Sequence, residues 1–266
     1  MGRYSQAMSI HKYVKRSTLI QQQGIPWTQI PKEVKEDIEA LQDYTKDTGR
    51  EGSITMCKKP DHNRIITGNN FKGNRNQTLV LDCSSRVGKS SRIGSVHSHP
   101  TDDETVGVLA SEGDLSSTID DSAKYKRPQI DCITSPETPL IPCMMPKDIP
   151  SRKLVNEYDA ALDESLDERK TAPYFLDNVH KDFHFALFDK KTGQREDNAP
   201  PKKIIKVAFG RSNKSLREHV KVFERGSFCH YVADLMGQHN REDVIQECRD
   251  ELRRKSFLGL VDLPDD

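Results

Sequence analysis

The 266-residue chain carries 41 basic and 41 acidic side chains, with 34% hydrophobic and 31% charged residues. That length suits one large core or two smaller ones, and the balanced composition excludes a basic nucleic-acid-binding protein or a charge-driven membrane anchor. No run approaches the ~18 consecutive apolar residues of a membrane helix, and MGRYSQAMSIHKYVKRS lacks the apolar core of a secretion signal, so a cytoplasmic location is expected.

Residues 1–31 read as an N-terminal extension closing on IPWTQIP, whose prolines break periodicity. From Lys32 onward Val34, Ile38, Leu41 and Thr45 recur at helical spacing, and Gly49 stands where a helix stops. Short β-like runs follow: SITMC (53–57), RIIT (64–67), TLVLDC (78–83) and RIGSVH (92–97), separated by turn-rich GNNFKGNRNQ and SSRVGKSS. LSSTIDDSAKYK predicts a helix closed by Pro128, and QIDCITS and LIPCMM predict two further strands. The order predicts an α/β (α+β) fold, a mixed sheet with flanking helices over residues 32–148. Pro146 and Pro150 bracket a boundary to a C-terminal α+β region, 149–266. There KLVNEYDAALDESLDE, SLREHVKVF, FCHYVADLM and REDVIQECRDELRRK read as helices, and FHFALFD and IIKVAFG as strands.

The stretch SVHSHPTDDETVGVLASEGDL (95–115) carries the chemistry. Alternate residues of a strand point the same way, so His97 and His99 can aim two imidazoles at one point while Ser98 faces away. Two imidazoles and a carboxylate, here Asp114, are a familiar zinc set whose fourth position stays open for water. Chance yields only about 0.016 H-x-H-P matches in a chain with nine histidines and 14 prolines, which favours a metal pair over two unrelated histidines. Amide hydrolysis also needs a base. Glu51 in TGREGSITMC, between the amphipathic helix and the first strand, is the best candidate, since Gly49 and Gly52 let the backbone approach other elements.

The layout of a helix, a glutamate opening a strand, several strands, H-S-H-P and then S-x-x-D entering a helix resembles the JAMM/MPN zinc metallopeptidases, which remove ubiquitin or ubiquitin-like tags. The resemblance covers residues 32–145. It implies one zinc per chain held by His97, His99 and Asp114, Glu51 as general base, and Ser111 as a donor to the developing oxyanion. It further implies a protein substrate carrying a ubiquitin-like modifier, with neither nucleic acid nor membrane as partner. The pattern departs from the family at one place: usually about seven residues separate the second histidine from the serine, whereas eleven intervene here, Pro100 to Ala110. At the usual spacing Gly107 and Ala110 would occupy the serine and aspartate positions, and neither can act there. A longer loop is therefore expected, with Asp102, Asp103 and Glu104 as substitute third ligands. The alternative function is a non-catalytic scaffold of the same fold with a degraded metal site.

Other motifs carry less. RVGKS (86–90) lacks the first P-loop glycine, whose place Cys83 takes, and it leads into a strand. HKDFH (180–184) spaces two histidines four apart without the glutamate of a zincin helix, so both read as surface residues. The six cysteines (57, 83, 132, 143, 229, 248) form no C-x-x-C pair and are expected as reduced thiols, with Cys229 buried and Cys132 and Cys143 in the core even if they face each other on neighbouring strands.

Overall fold

The amphipathic helix α1 spans Lys32–Thr48 and buries Val34, Ile38 and Leu41, each contributing about 1.5–3 kcal/mol of apolar burial. It ends as expected, Gly49 closing it in the left-handed conformation with its N–H on the Thr45 carbonyl. The computed structural model describes residues 24–58, 65–74, 78–83, 92–100, 108–168, 171–209 and 227–259. SLREHVKVF, the RVGKS motif and the acidic residues Asp102, Asp103 and Glu104 lie outside these.

Six strands form one mixed sheet: β1 (Ser53–Lys58), β2 (Ile65–Asn70), β3 (Arg92–Ser98), β4 (Ile130–Thr134), β5 (Leu140–Pro146) and β6 (Phe183–Asp189), in the order β2-β1-β3-β4-β5-β6. Only β3 and β4 pair in parallel, joined by a crossover through α2 (Glu112–Lys124). Among the described residues the other helices are α3 (Arg152–Glu168), α4 (Pro173–Asp182), α5 (Pro201–Phe209), α6 (Ser227–Leu235) and α7 (Glu242–Phe257). The chain is thus an α+β fold, a mixed sheet with flanking helices.

Period-two alternation sends the strand side chains to two cores. Ile54, Met56, Val96, Ile130, Ile141 and Phe188 pack with α1, while Ile133, Leu140, Met144, Phe183 and Leu187 pack with the later helices. Strand β6 pairs with β5 along its whole length, so the sheet runs continuously across residue 149. Ile25 and Ile30, from the segment before α1, are buried in the α1-side core.

Three expectations are corrected. IIKVAFG is part of helix α5 and no strand: Ile204, Ile205, Val207 and Ala208 are buried at helical spacing while Lys202 and Lys206 face out. TLVLDC lies outside the sheet. Its Leu79 and Leu81 carbonyls accept bonds from the Ser53 and Thr55 hydroxyls, taking up β1 side chains without joining its ladder. The six cysteines are not reduced thiols but three disulfides, Cys57–Cys83, Cys132–Cys143 and Cys229–Cys248. Folding makes neighbours of residues distant in the chain: Cys132 and Cys143 stand directly opposite across the antiparallel β4–β5 pair. Disulfides are uncommon in mesophile cytosol, so the three bonds do not support the expected cytoplasmic location. Among the described residues no helix is long and apolar enough to cross a membrane.

The strand that leads to the histidines is locked at both ends. Arg92, buried, places its guanidinium on Asp121 of α2 and over the Tyr125 ring at 5.0 Å. At Gly94 (φ 156°) β3 passes so close to β4 that a Cβ would stand 1.9 Å from the Ile130 carbonyl oxygen. The obstacle is backbone, which no rotamer change relieves. Gly94→Ala should therefore cost about 3 kcal/mol or more, read as a lower urea midpoint with an unchanged slope. Thiol titration in denaturant without reductant should find none of the six cysteines reactive, and all six after reduction.

Candidate active site

Strand β3 and helix α2 run in opposite directions, clamped by Arg92–Asp121 at one end. At the other, the C-terminal end of β3 presents His97 and then His99 to the first turn of α2. Ser111 is the N-cap of that helix and Asp114 its third residue, forming a capping box: Asp114 N–H donates to Ser111 Oγ at 3.2 Å, and Ser111 N–H donates back to Asp114 Oδ2 at 2.8 Å. The Ser111 hydroxyl also donates to Oδ2, at 2.9 Å. S-x-x-D is thus both a helix start and the device that aims Asp114.

Four atoms of three side chains converge. His97 Nε2 and His99 Nε2 are 3.1 Å apart, His97 Nε2 lies 3.2 Å from Asp114 Oδ1, and His99 Nε2 lies 3.6 Å from Asp114 Oδ2. Ligands about 2.0–2.1 Å from a tetrahedral zinc stand about 3.3–3.4 Å from one another, so the three side chains fit one face of such a tetrahedron. The donor set, two imidazole nitrogens and a carboxylate oxygen, suits zinc in type as well as in spacing.

The backbone beneath the histidines explains their aim. Ser98 is fully buried on the opposite side, its Oγ 2.6 Å from Thr45 Oγ1 of α1 and accepting the Gly52 N–H at 3.0 Å. Ser98 N–H in turn donates to the Gly52 carbonyl at 3.1 Å, and His99 N–H donates to Thr134 O of β4 at 2.8 Å. A Cβ on Gly52 would meet Leu41 of α1 at 2.7 Å, so glycine is what allows this loop to lie between helix and strand. Glu51, next in the chain, is tied by its N–H to Asn74 O at 2.8 Å. It lies partly buried and within electrostatic reach of His99, His97 and Asp114.

Burial raises the Glu51 carboxyl above its ordinary value, the two imidazoles only partly opposing this. Burial would lower His97, but Asp114 and then Asp131 outweigh it and hold the imidazole well above its usual range. Burial likewise disfavours the Asp114 charge, and His97, then His99, overcome it and hold the carboxyl well below its usual range.

Four of the five predicted residues, His97, His99, Asp114 and Ser111, thus meet by direct contact, and Glu51 stands in the loop that Gly52 ties to Ser98. A sixth residue was missed. Asp131 of β4, buried, has Oδ1 3.4 Å from His97 Nδ1 and accepts the Ser95 hydroxyl at 2.9 Å. It stands behind the ring nitrogen that faces away from the convergence point, where a carboxylate fixes tautomer and orientation. An aspartate between Ile130 and Cys132 in the predicted strand QIDCITS was the available signal, because buried carboxylates are rare without a partner. No protein-family model matches the chain, and no curated protein matches it either.

In chelator-treated protein the His97–Asp114 pair should act as a pH-dependent clamp. The raised imidazole contributes stability that is complete below its unfolded value and lost as pH rises through its folded one. The lowered carboxyl contributes stability that is complete above its unfolded value and lost as pH falls through its folded one. Wild type should therefore exceed Asp114→Asn by the widest margin, about 1.5–3 kcal/mol, between about pH 4 and 6.5, with the gap narrowing above that window. Chemical denaturation of both proteins across pH measures it; a gap that widens steadily toward alkaline pH contradicts the pairing.

Proposed function

We propose that the chain is a zinc-dependent peptidase or isopeptidase of the JAMM/MPN type, hydrolysing an amide bond. The observation that carries this reading is the approach of His97 Nε2, His99 Nε2 and the Asp114 carboxylate to within 3.1–3.6 Å of one another, spacings close to those of ligands on one tetrahedral ion, with the loop that carries Glu51 bonded through Gly52 to Ser98. His97, His99 and Asp114 would hold a zinc ion, which when bound would supply Lewis acidity toward the scissile carbonyl and a water.

The chain's own groups supply the proton traffic. Glu51, raised by burial, takes a proton from the attacking water and returns it to the departing nitrogen, a role that favours a carboxyl of elevated pKa. Ser111 first orients Asp114. Its hydroxyl proton lies on Asp114 Oδ2, so donation to a tetrahedral oxyanion requires the O–H to rotate away while the Ser111 N–H keeps that oxygen satisfied. Asp131 holds His97 as the tautomer whose Nε2 lone pair faces the convergence point.

The substrate class is a protein bearing a ubiquitin-like modifier, whose extended C-terminal tail can be laid down as an added strand. This rests on the resemblance carried by H-S-H-P and S-x-x-D. The scaffold alternative is disfavoured by the ligand spacing: a lapsed site has no constraint keeping three donors at tetrahedral separations.

The test is metal content together with cleavage of a panel of modifier fusions, with the full chain purified without reductant. His97→Ala and Asp114→Ala should each lower bound zinc by about one equivalent and abolish cleavage. Glu51→Gln should retain the metal and lose about 100-fold or more in kcat. An unchanged rate in Glu51→Gln places the base elsewhere, and unchanged metal and rate in Asp114→Ala overturn the reading.

A further inference from the structure

HKDFH is left unused by the proposed chemistry, and the fold splits it: His180 lies near the end of α4 and His184 on β6. What His180 meets comes from much later in the chain. Its Nδ1 stands 3.5 Å from Oδ2 of Asp234, in the last turn of α6, and the other oxygen, Oδ1, is 2.5 Å from Nδ1 of His239, in the turn leading to α7. The two imidazoles lie stacked, centroids 4.2 Å apart and planes within 9°. One donor atom from each of the three residues lies within 4.8 Å of the other two.

The charges at this place do not balance with neutral imidazoles. Asp234 is 4% exposed, and its ion-pair partners among the described residues are these two histidines. The nearby Lys147 ammonium is directed at the His180 carbonyl oxygen, 2.8 Å away. His180 Nδ1 is itself buried and makes no hydrogen bond. A carboxylate removed from water needs a positive partner, and a polar nitrogen in the same pocket without one incurs its own desolvation cost. A divalent cation resolves both at once.

We infer that His180, Asp234 and His239 form a second metal site, sharing no residue with the first and independent of the proposed function. Two imidazole nitrogens and one carboxylate oxygen select zinc or a neighbouring first-row divalent ion over calcium or magnesium, which take oxygen ligands. The two rings lie parallel, so loading requires them to turn toward a common point. His239, with its side chain about half exposed in a turn, has the room to do so. The ion would join α4 to the α6–α7 pair, which the Cys229–Cys248 disulfide already holds together, and so act as a structural staple.

The experiment is zinc stoichiometry of the full chain and its variants after gel filtration in metal-free buffer, with cobalt loading as a spectroscopic readout. Wild type should retain about two equivalents, Asp114→Ala and His239→Ala about one each, and the Asp114→Ala/His239→Ala double variant none. His239→Ala, altering a half-exposed side chain, should keep wild-type circular dichroism and cleavage. Cobalt-loaded Asp114→Ala should show ligand-field absorption that the double variant lacks, and zinc should raise the melting temperature of the former alone. An Asp114→Ala protein without metal overturns the second site and leaves the first standing. Metal retained by the double variant overturns the ligand assignment. A single wild-type equivalent that survives Asp114→Ala and vanishes in His239→Ala upholds this site and removes the hydrolase metal.

Discussion

One carboxylate organises the candidate site. Asp114 turns one oxygen to the Ser111 N–H and hydroxyl and offers the other to His97, so the same side chain starts a helix and closes a ligand triangle. The two tasks reinforce each other. The capping bonds remove the rotational freedom that a free aspartate would lose on meeting a cation, and they bias the carboxyl toward its charged form. Its position is fixed from afar by Arg92 and Asp121, five residues before His97 on the strand and seven after Asp114 on the helix. Between those anchors β3 and α2 form an antiparallel splint, and sliding one element against the other would break an ion pair at one end or the triangle at the other.

The sheet order explains why Glu51 arrives at the same place. Strand β1 lies beside β3, antiparallel, so the start of β1 is adjacent to the end of β3 that carries the histidines. The Gly52–Ser98 exchange then fixes the loop before β1 against that end, and Ser98, pointing away from the triangle, links it to Thr45 of α1. The parallel neighbour β4 brings Asp131 to the rear of His97, on the face shared by Ser95. Groups from four separate parts of the chain are thereby held by backbone ladders in preference to mobile side chains, the kind of support that electrostatic preorganisation requires.

Much of this was legible in the sequence where a local rule governs. Strand alternation put His97 and His99 on one side, helical spacing marked α1, and Ser111 to Asp114 has the spacing of a helix start. What failed depended on tertiary context. IIKVAFG is rich in the β-branched residues that favour strands, yet Pro201 opens a helix there and its apolar positions recur at helical spacing. TLVLDC is a β-like run rich in branched residues, but its Leu79 and Leu81 carbonyls accept from the Ser53 and Thr55 hydroxyls and not from a backbone ladder. The facing of Cys132 and Cys143 could be read from adjacent strands but was set aside with the expectation of reduced thiols, while the other two pairings depend on tertiary contacts that linear spacing does not encode. Asp131 and the His180–Asp234–His239 cluster escaped for the same reason: each becomes meaningful only when a residue far along the chain is placed beside it.

The two histidine–aspartate clusters differ in the respects that separate a reactive metal position from a stapling one. In the first, a buried imidazole is backed by a second carboxylate, the third ligand is held by a capping box, and an acid raised by its surroundings stands at the edge. Each feature limits motion of the ligands or prepares a proton transfer. In the second, the carboxylate is buried but one imidazole stands half in solvent on a turn, and the other two residues come from helices whose mutual position an ion would fix. A site that tightens upon loading is well suited to holding helices together and poorly suited to stabilising a transition state, because its binding energy goes into ordering the protein instead of being available to the reaction. On that ground the proposed hydrolytic role is assigned to His97, His99 and Asp114, and the inferred structural role to the cluster bridging α4 and α6.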